Sequence, residues 1–300
     1  MFRISQLTLL SLFALALFAI QSISAQESGD SAKASKKLEK IPVEEIVERH
    51  LASIGPSEAL SKIKSRVMIG EGKLVSKLGS PFTLNGAAQF ASEGSKIVFA
   101  MAFENEVYPY EKAAFDGKEQ SFGLPSGKTT VLAAYLRSQD SILKDGLFGG
   151  TLSSAWAITN LQALGKPKLE YEGTAEIEGR SCYKLKFSSK RTGDLRIMVY
   201  FDGETFRHVR TTYEYTIQPR IGTSSTDVRS RSRTERFSLQ EDFKDFRKAD
   251  QLTLPFEYSI NVINETQIES RTGTISREWT LKIDTVQYDQ AIESGVFKVS

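Results

Sequence analysis

Side chains that commonly carry out chemistry are scarce in this sequence. The 300 residues include two histidines, His50 and His208, and a single cysteine, Cys182. Nucleophilic and metal sites usually combine several such groups, so this inventory argues against both. The sequence has no Gly-x-Ser-x-Gly or His-Glu-x-x-His motif, and no carboxylate pair is marked out by its spacing. We therefore predict no catalytic residue, no metal and no cofactor, and we assign His50 a packing role.

A glycine-rich segment, Gly123–Thr129, has some likeness to a phosphate-binding loop. Such a loop needs four residues between its two glycines, whereas this segment has three. The spacing instead predicts a turn that leads into a helix, and it gives no reason to expect a nucleotide partner.

A basic stripe is formed by Arg229, Arg231 and Arg233, which recur at every second position. On a strand this spacing places the guanidinium groups on one face. Two interpretations stay open: contacts to anionic lipid headgroups, or a solvated outer face whose charge prevents edge-to-edge pairing. Acidic residues close to the stripe favour the second interpretation.

Strand-like alternation dominates the chain from Arg66 onwards and indicates an antiparallel β protein. In Lys96–Phe103 both faces are apolar, which predicts a strand that is buried on both sides. The predicted strands include Arg66–Leu78, Phe82–Ala91, Lys96–Phe103, Lys168–Glu178, Ser181–Ser188, Asp194–Phe201, Phe206–Tyr215, Val228–Leu239, Phe243–Arg247, Leu254–Ile263 and Gly273–Tyr288.

The spacing of the apolar residues changes from that of a strand to that of a helix between residues 129 and 161, where we predict a helical insert. Apolar residues at helical spacing are Val131, Leu132, Tyr135 and Leu136, and then Phe148, Leu152 and Trp156. We expect this insert to cover the open face of a curved sheet and to close an apolar cavity. The alternative is that its helices simply fill an ordinary core.

The N-terminus has the three parts of a secretory signal peptide. Arg3 precedes the uncharged apolar run Leu7–Ile20, and small residues follow it. This run is shorter than the ~20 residues of a membrane span. We predict a signal peptide over 1–25, a disordered leader over 26–41, and one domain over 42–300 that starts with a helix.

The composition favours a bacterial protein of the periplasm or one that is secreted. A single cysteine does not fit a disulfide-rich secreted fold, and no cysteine follows the predicted cleavage site to carry a lipid. The net charge of +2 does not indicate a nucleic-acid partner.

Several segments occur together in a characteristic order. They are KDGLFGGTLSSAWAI, YEGTAEIEGRSCYKLKF, YFDGETFRHVRTTYEY, LTLPFEYSI and IDTVQYDQAIESGVFKVS. In this order the chain resembles the outer-membrane lipoprotein-sorting family, the group around the periplasmic lipoprotein carrier and its mycobacterial lipid-carrier relatives. The segments are turns and strand ends, so the resemblance concerns the fold more than the ligand.

The resemblance implies an α+β, mostly antiparallel fold: a curved half-open β-barrel with a helical lid and an N-terminal helix. It also implies a non-enzymatic carrier of lipid, of lipoprotein acyl chains or of another apolar ligand, with an envelope membrane protein as a further partner. We find no match to the arginine that closes the lid in the lipoprotein carrier.

Ten residues are predicted to line the cavity. They are Leu132, Tyr135, Leu136, Leu147, Phe148, Leu152 and Trp156 from the insert, with Phe99, Met101 and Phe103 from the sheet. Gly146, Gly149 and Gly150 are expected to act as hinges when the insert moves. Two alternatives stay open: an envelope sensing module that recognises a protein through the same groove, and a hydrolase with a polar cleft and a carboxyl group of raised pKa.

Overall fold

The structure is a computed structural model that describes residues 38–78, 81–161, 164, 167–217, 233–268 and 271–299. The predicted signal peptide, most of the predicted leader, Arg229 and Arg231 lie outside the described residues. Arg233 is described only as the first residue of a strand.

Within the described residues, the alternating segments pair into one antiparallel sheet of twelve strands. The strands are β1 (Ser65–Leu78), β2 (Phe82–Glu93), β3 (Lys96–Phe103), β4 (Tyr110–Phe115), β5 (Gln120–Phe122), β6 (Lys168–Ile177), β7 (Arg180–Ser188), β8 (Arg196–Asp202), β9 (His208–Ile217), β10 (Arg233–Ala249), β11 (Leu252–Ile268) and β12 (Arg271–Tyr288).

Strands that are consecutive in the chain are neighbours in the sheet, except at the insert. β1 pairs with β12 in the middle of the sheet, so β5 and β6 form its two edges. The chain between these edges is the insert, which therefore links the two sides of the opening. The protein is a curved half-open β-barrel with a helical lid, as predicted.

The helices lie at the N-terminus and in the insert. They are α1 (Val43–Ile54), α2 (Ser57–Lys62), α3 (Val131–Ser138) and α4 (Ser141–Lys144), with 3-10 turns at Pro125–Gly127, Gly150–Leu152, Ala157–Asn160 and Ser294–Phe297. The buried face of α1 carries Ile46, His50 and Ile54, which pack toward the inner side of the sheet. On the other side of the sheet, Phe297 packs against Val98 of β3.

Two sequence predictions are wrong in detail. The spacing of Phe148, Leu152 and Trp156 predicted helix, but the chain forms only short 3-10 turns there. The reason is that Gly149 and Gly150 have φ of 77° and 47°, which ends regular helix. The segments Val228–Leu239 and Phe243–Arg247 were predicted as separate strands, yet β10 joins Phe243–Arg247 to the part of the first segment that the structure describes, which begins at Arg233.

Candidate ligand-binding site

All ten side chains predicted to line the cavity lie in one buried cluster between the insert and the inner face of the sheet. Phe148 packs against Phe90, Phe99 and Tyr258, with ring centroids 6.3, 6.1 and 6.4 Å apart. Trp156 is only 1% exposed. The insert's own side chains thus occupy the space that the sequence analysis assigned to a ligand. Their role in binding stays a prediction, and it requires the insert to move.

An open groove of about 1010 Å³ lies beside the insert, and we call it the α1–α2 groove. Its volume is in the range of small-molecule pockets. Residues from both helices, from the start of β1 and from the end of the insert line it, including Leu51, Leu60, Ile63, Lys64, Arg66, Ser154, Thr159 and Asn160. None of the ten predicted cavity residues is among its lining residues.

Arg66 attaches the insert to β1 at this groove. Its side chain is buried, and Nη1 donates to the backbone carbonyls of Thr151, at 2.7 Å, and Ser153, at 3.3 Å. Its Nε has no hydrogen-bond partner among the described residues. Burial lowers the pKa of Arg66 to about 10, and Tyr288 opposes this shift. The guanidinium is therefore still charged at neutral pH.

Sequence reasoning missed Arg66, because an arginine at the start of a strand is usually solvated and its burial depends on tertiary packing. The lining of the groove by α1 and α2 was missed for the same reason. The only available signal was that Arg66 precedes the apolar run Val67–Ile69 with no acidic residue beside it.

His50 joins α1 to both the insert and the sheet. Its Nε2 accepts a hydrogen bond from Trp156 Nε1, and its Nδ1 contacts the carbonyl oxygen of Phe206, each at 3.0 Å. Because an indole N–H can only donate, Nδ1 carries the proton. Trp156 stacks on His208 with ring centroids 4.6 Å apart. Burial lowers the pKa of His50 to about 4 and holds that of His208 well below its ordinary value, so both rings are neutral.

Glu241 of β10 attaches the middle of the insert to the sheet. Its carboxyl group accepts hydrogen bonds from Gly149 N at 2.7 Å, Tyr213 Oη at 2.6 Å and Tyr258 Oη at 2.5 Å. Burial raises the pKa of Glu241 to about 7, although these hydrogen bonds act in the opposite direction. A carboxyl group with three donors and no cation is a structural anchor rather than an exposed acid.

Glu111 of β4 attaches the start of the insert to the sheet. It accepts from Thr130 Oγ1 at 2.8 Å, and Thr130 in turn caps α3 by accepting from Ala133 N. Burial raises the pKa of Glu111 to about 7. Neither Glu111 nor Glu241 lines the groove. These two carboxyl groups therefore fasten the insert, and they do not form the polar cleft that a hydrolase would need.

Of the three glycines that were predicted as hinges, Gly149 and Gly150 pack closely against the sheet, whereas Gly146 packs against Ala155 of the insert itself. A Cβ atom on Gly149 would lie 2.2 Å from the Phe90 ring, and one on Gly150 would lie 2.6 Å from the His208 ring. Glycine is required at both positions because of this close approach as well as the positive φ. A hinge role stays a prediction.

Other kinds of site receive no support from the described residues. Within them, no group of three or more His, Cys, Asp or Glu side chains is placed to hold a metal ion. Cys182 is buried, and burial raises the pKa of its thiol to about 11, so it is not a reactive thiolate. None of the helices in this part of the chain has the length and apolar character of a membrane span.

No protein-family model and no curated protein sequence matches the chain. Among solved structures, a LolA superfamily protein from Nitrosomonas europaea is 11% identical with a TM-score of 0.43, over 87% of this chain and 99% of that protein. A DUF1329 family protein from Desulfovibrio piger is 12% identical with a TM-score of 0.42, over 86% and 98%. A domain described as an outer membrane lipoprotein-sorting protein, from Vibrio parahaemolyticus, is 12% identical with a TM-score of 0.45, over 84% and 94%.

The chain is thus similar in structure to proteins of the lipoprotein-sorting group that its sequence resembles. At identities of 11–12%, the similarity concerns the fold.

Proposed function

We propose that this protein is an exported, non-enzymatic carrier that binds a lipid, a lipoprotein acyl chain or another apolar chain in place of its insert. The observation that carries the proposal is the nature of the insert's attachment. Its apolar side chains fill the inner face of a half-open sheet, while a few polar groups, among them Arg66, His50, Glu111 and Glu241, hold it there. Such an element can be displaced by a ligand that offers a similar apolar surface.

The energetics of this exchange favour a long chain. Each CH₂ group that an acyl chain buries contributes about 0.8 kcal/mol. When the insert leaves, its apolar side chains become exposed to water. Only a ligand with an extended apolar part buries enough area to compensate for this loss. Release follows the reverse path, because return of the insert expels the chain. This makes the protein suited to transient transport rather than to catalysis.

The test is native mass spectrometry of the mature protein, purified from its own envelope fraction, followed by extraction into organic solvent. We expect one lipid or acylated peptide bound per protein, and the extract identifies its class. A protein that is purified without ligand and that binds no added alkyl chain would contradict the proposal. That result would favour the alternative, a sensing module that recognises an envelope protein.

A further inference from the structure

We propose that Arg66 binds the anionic headgroup of the ligand, so that the cargo is an acyl chain that ends in a carboxylate or a phosphate. This inference rests on the proposed function, since it needs a ligand that displaces the insert. It assigns the headgroup to the α1–α2 groove rather than to the arginine stripe of the sequence analysis.

The first observation is that Arg66 is a buried cation without a counter-charge. The side chain is 4% exposed, and no carboxylate among the described residues forms an ion pair with it. Its Nη1 donates only to neutral carbonyl groups, and its Nε donates to nothing. Buried charges in proteins are normally paired, because an uncompensated charge in a low-dielectric interior is costly. The unpaired guanidinium is thus a place where an anion would be stabilised.

The second observation is where this cation lies. Arg66 lines the α1–α2 groove and also contacts the insert through Thr151 and Ser153. The hydroxyl of Thr151 is likewise buried without a partner among the described residues. Arg66 Nε and the Thr151 hydroxyl are therefore two donors without a described partner, and both lie where the groove meets the insert.

Displacement of the insert makes the need for an anion stronger. When Thr151 and Ser153 move away, the Arg66 guanidinium loses both of its carbonyl acceptors. A carboxylate or phosphate can replace both carbonyls with a forked pair of charge-assisted bonds, which are stronger than bonds to neutral oxygens. An anionic ligand thus lowers the cost of opening, whereas a neutral ligand leaves Arg66 unpaired.

The rest of the groove suits an amphiphile. Leu51, Leu60 and Ile63 give it an apolar wall, and Lys64 adds an exposed cation. Glu48 is the one acidic residue among the lining residues, so the lining has an excess of positive charge. An apolar wall beside cations fits a headgroup with negative charge and an alkyl chain that continues toward the insert.

The experiment compares three probes that share one dodecyl chain and differ in headgroup: dodecanoate, dodecyl phosphate and dodecanol. Binding is measured by isothermal titration below the micelle concentration at neutral pH. We expect both anions to bind at least about tenfold more tightly than dodecanol, since charge-assisted bonds replace unmet ones. The better of the two anions distinguishes a fatty-acid type of headgroup from a phospholipid type.

The variant Arg66→Met removes the charge and keeps the length of the side chain. It should bind all three probes with one common affinity, because the preference for an anionic headgroup is lost whatever the missing attachment does to displacement of the insert. Lys64→Met is the matched control, because it removes a cation from the same groove and should lower the affinity for anions only about twofold, as expected for an exposed charge. Near-ultraviolet circular dichroism of Arg66→Met verifies that its core is packed.

The relative affinities of the three probes for the wild-type protein test the headgroup site even if Arg66→Met does not fold. Equal affinity for dodecanol and the two anions would overturn the headgroup site and leave the carrier proposal standing. Failure of all three probes to bind would overturn the carrier proposal as well.

Discussion

At the scale of single residues, burial sets the protonation state of the groups that hold the insert. The acids Glu111 and Glu241 have raised pKa values, while the pKa values of His50 and His208 are lowered. Desolvation is the largest cause in all four cases, and it favours the neutral form of each side chain. The attachment of the insert should therefore weaken both when the pH rises and the carboxyl groups ionise, and when the pH falls and the imidazoles become protonated.

Glu241→Gln tests the alkaline direction. The pKa of Glu241 is about 7 in the folded protein against an ordinary value of 4.5. Its contribution to stability is complete below about pH 4.5 and is lost as the pH rises to 7, a change of about 3 kcal/mol. As the pH rises from 5 to 8, the wild type should lose up to this amount of its free energy of unfolding, and the variant should not. The free energies of both proteins are measured by urea unfolding. Glu214→Gln, at an exposed position of β9, is the control and should lose stability as the wild type does.

His50→Gln tests the acidic direction. The folded pKa of His50 is about 4 against an ordinary value of 6.5, so its contribution is present above pH 6.5 and lost as the pH falls to 4. Glutamine stays neutral, and its amide can still accept from Trp156. The free energy of unfolding should therefore fall less steeply between pH 6.5 and pH 4 in the variant. Equal slopes for variant and wild type would mean that His50 does not become protonated in this range.

At the scale of elements, the sequence predicted the strands whose alternation of apolar and polar residues, or whose continuous apolar run, is visible locally. Lys96–Phe103 was predicted with its observed bounds because its alternation is visible in the sequence itself. β10 was divided in two because the buried position between Leu239 and Phe243 is occupied by Glu241, so the apolar alternation is interrupted over Gln240–Asp242 although the strand continues. The contacts of Arg66 and of Glu241 with the insert join residues far apart in the chain. No local pattern encodes such contacts, and so the attachment of the insert was not predicted.

Gly149→Ala tests how tightly the insert fits. An added methyl group would collide with the Phe90 ring, and φ of 77° is unfavourable for alanine. Overpacking and backbone strain together should cost about 2–5 kcal/mol of stability. Gly173→Ala is a matched control, since Gly173 has φ of 100° but nothing within 4 Å of the new atom. Chemical denaturation should show a clearly smaller loss for Gly173→Ala, and similar losses would mean that strain alone is responsible.

At the scale of the whole molecule, the order of the strands gives the insert its position. β1 and β12 pair at the centre, so the two edge strands face an opening that only the insert connects. The insert shares the inner face with α1, whose Ile46 and Ile54 belong to the same buried cluster. The insert is joined at its two ends to the edge strands β5 and β6, so the displacement that the carrier proposal requires would not detach it from the protein.

A disulfide that fastens the insert tests whether this motion is needed. Ser154 N donates to Ser92 Oγ at 2.9 Å, which brings the insert close to the end of β2. We expect Ser92→Cys/Ser154→Cys, in a Cys182→Ala background, to form a disulfide here. The oxidised protein should not bind dodecanoate, and reduction should restore binding because it frees the insert. Each single-cysteine variant should bind regardless of redox state. Equal binding by the oxidised and reduced forms would mean that the chain lies in the α1–α2 groove without displacing the insert.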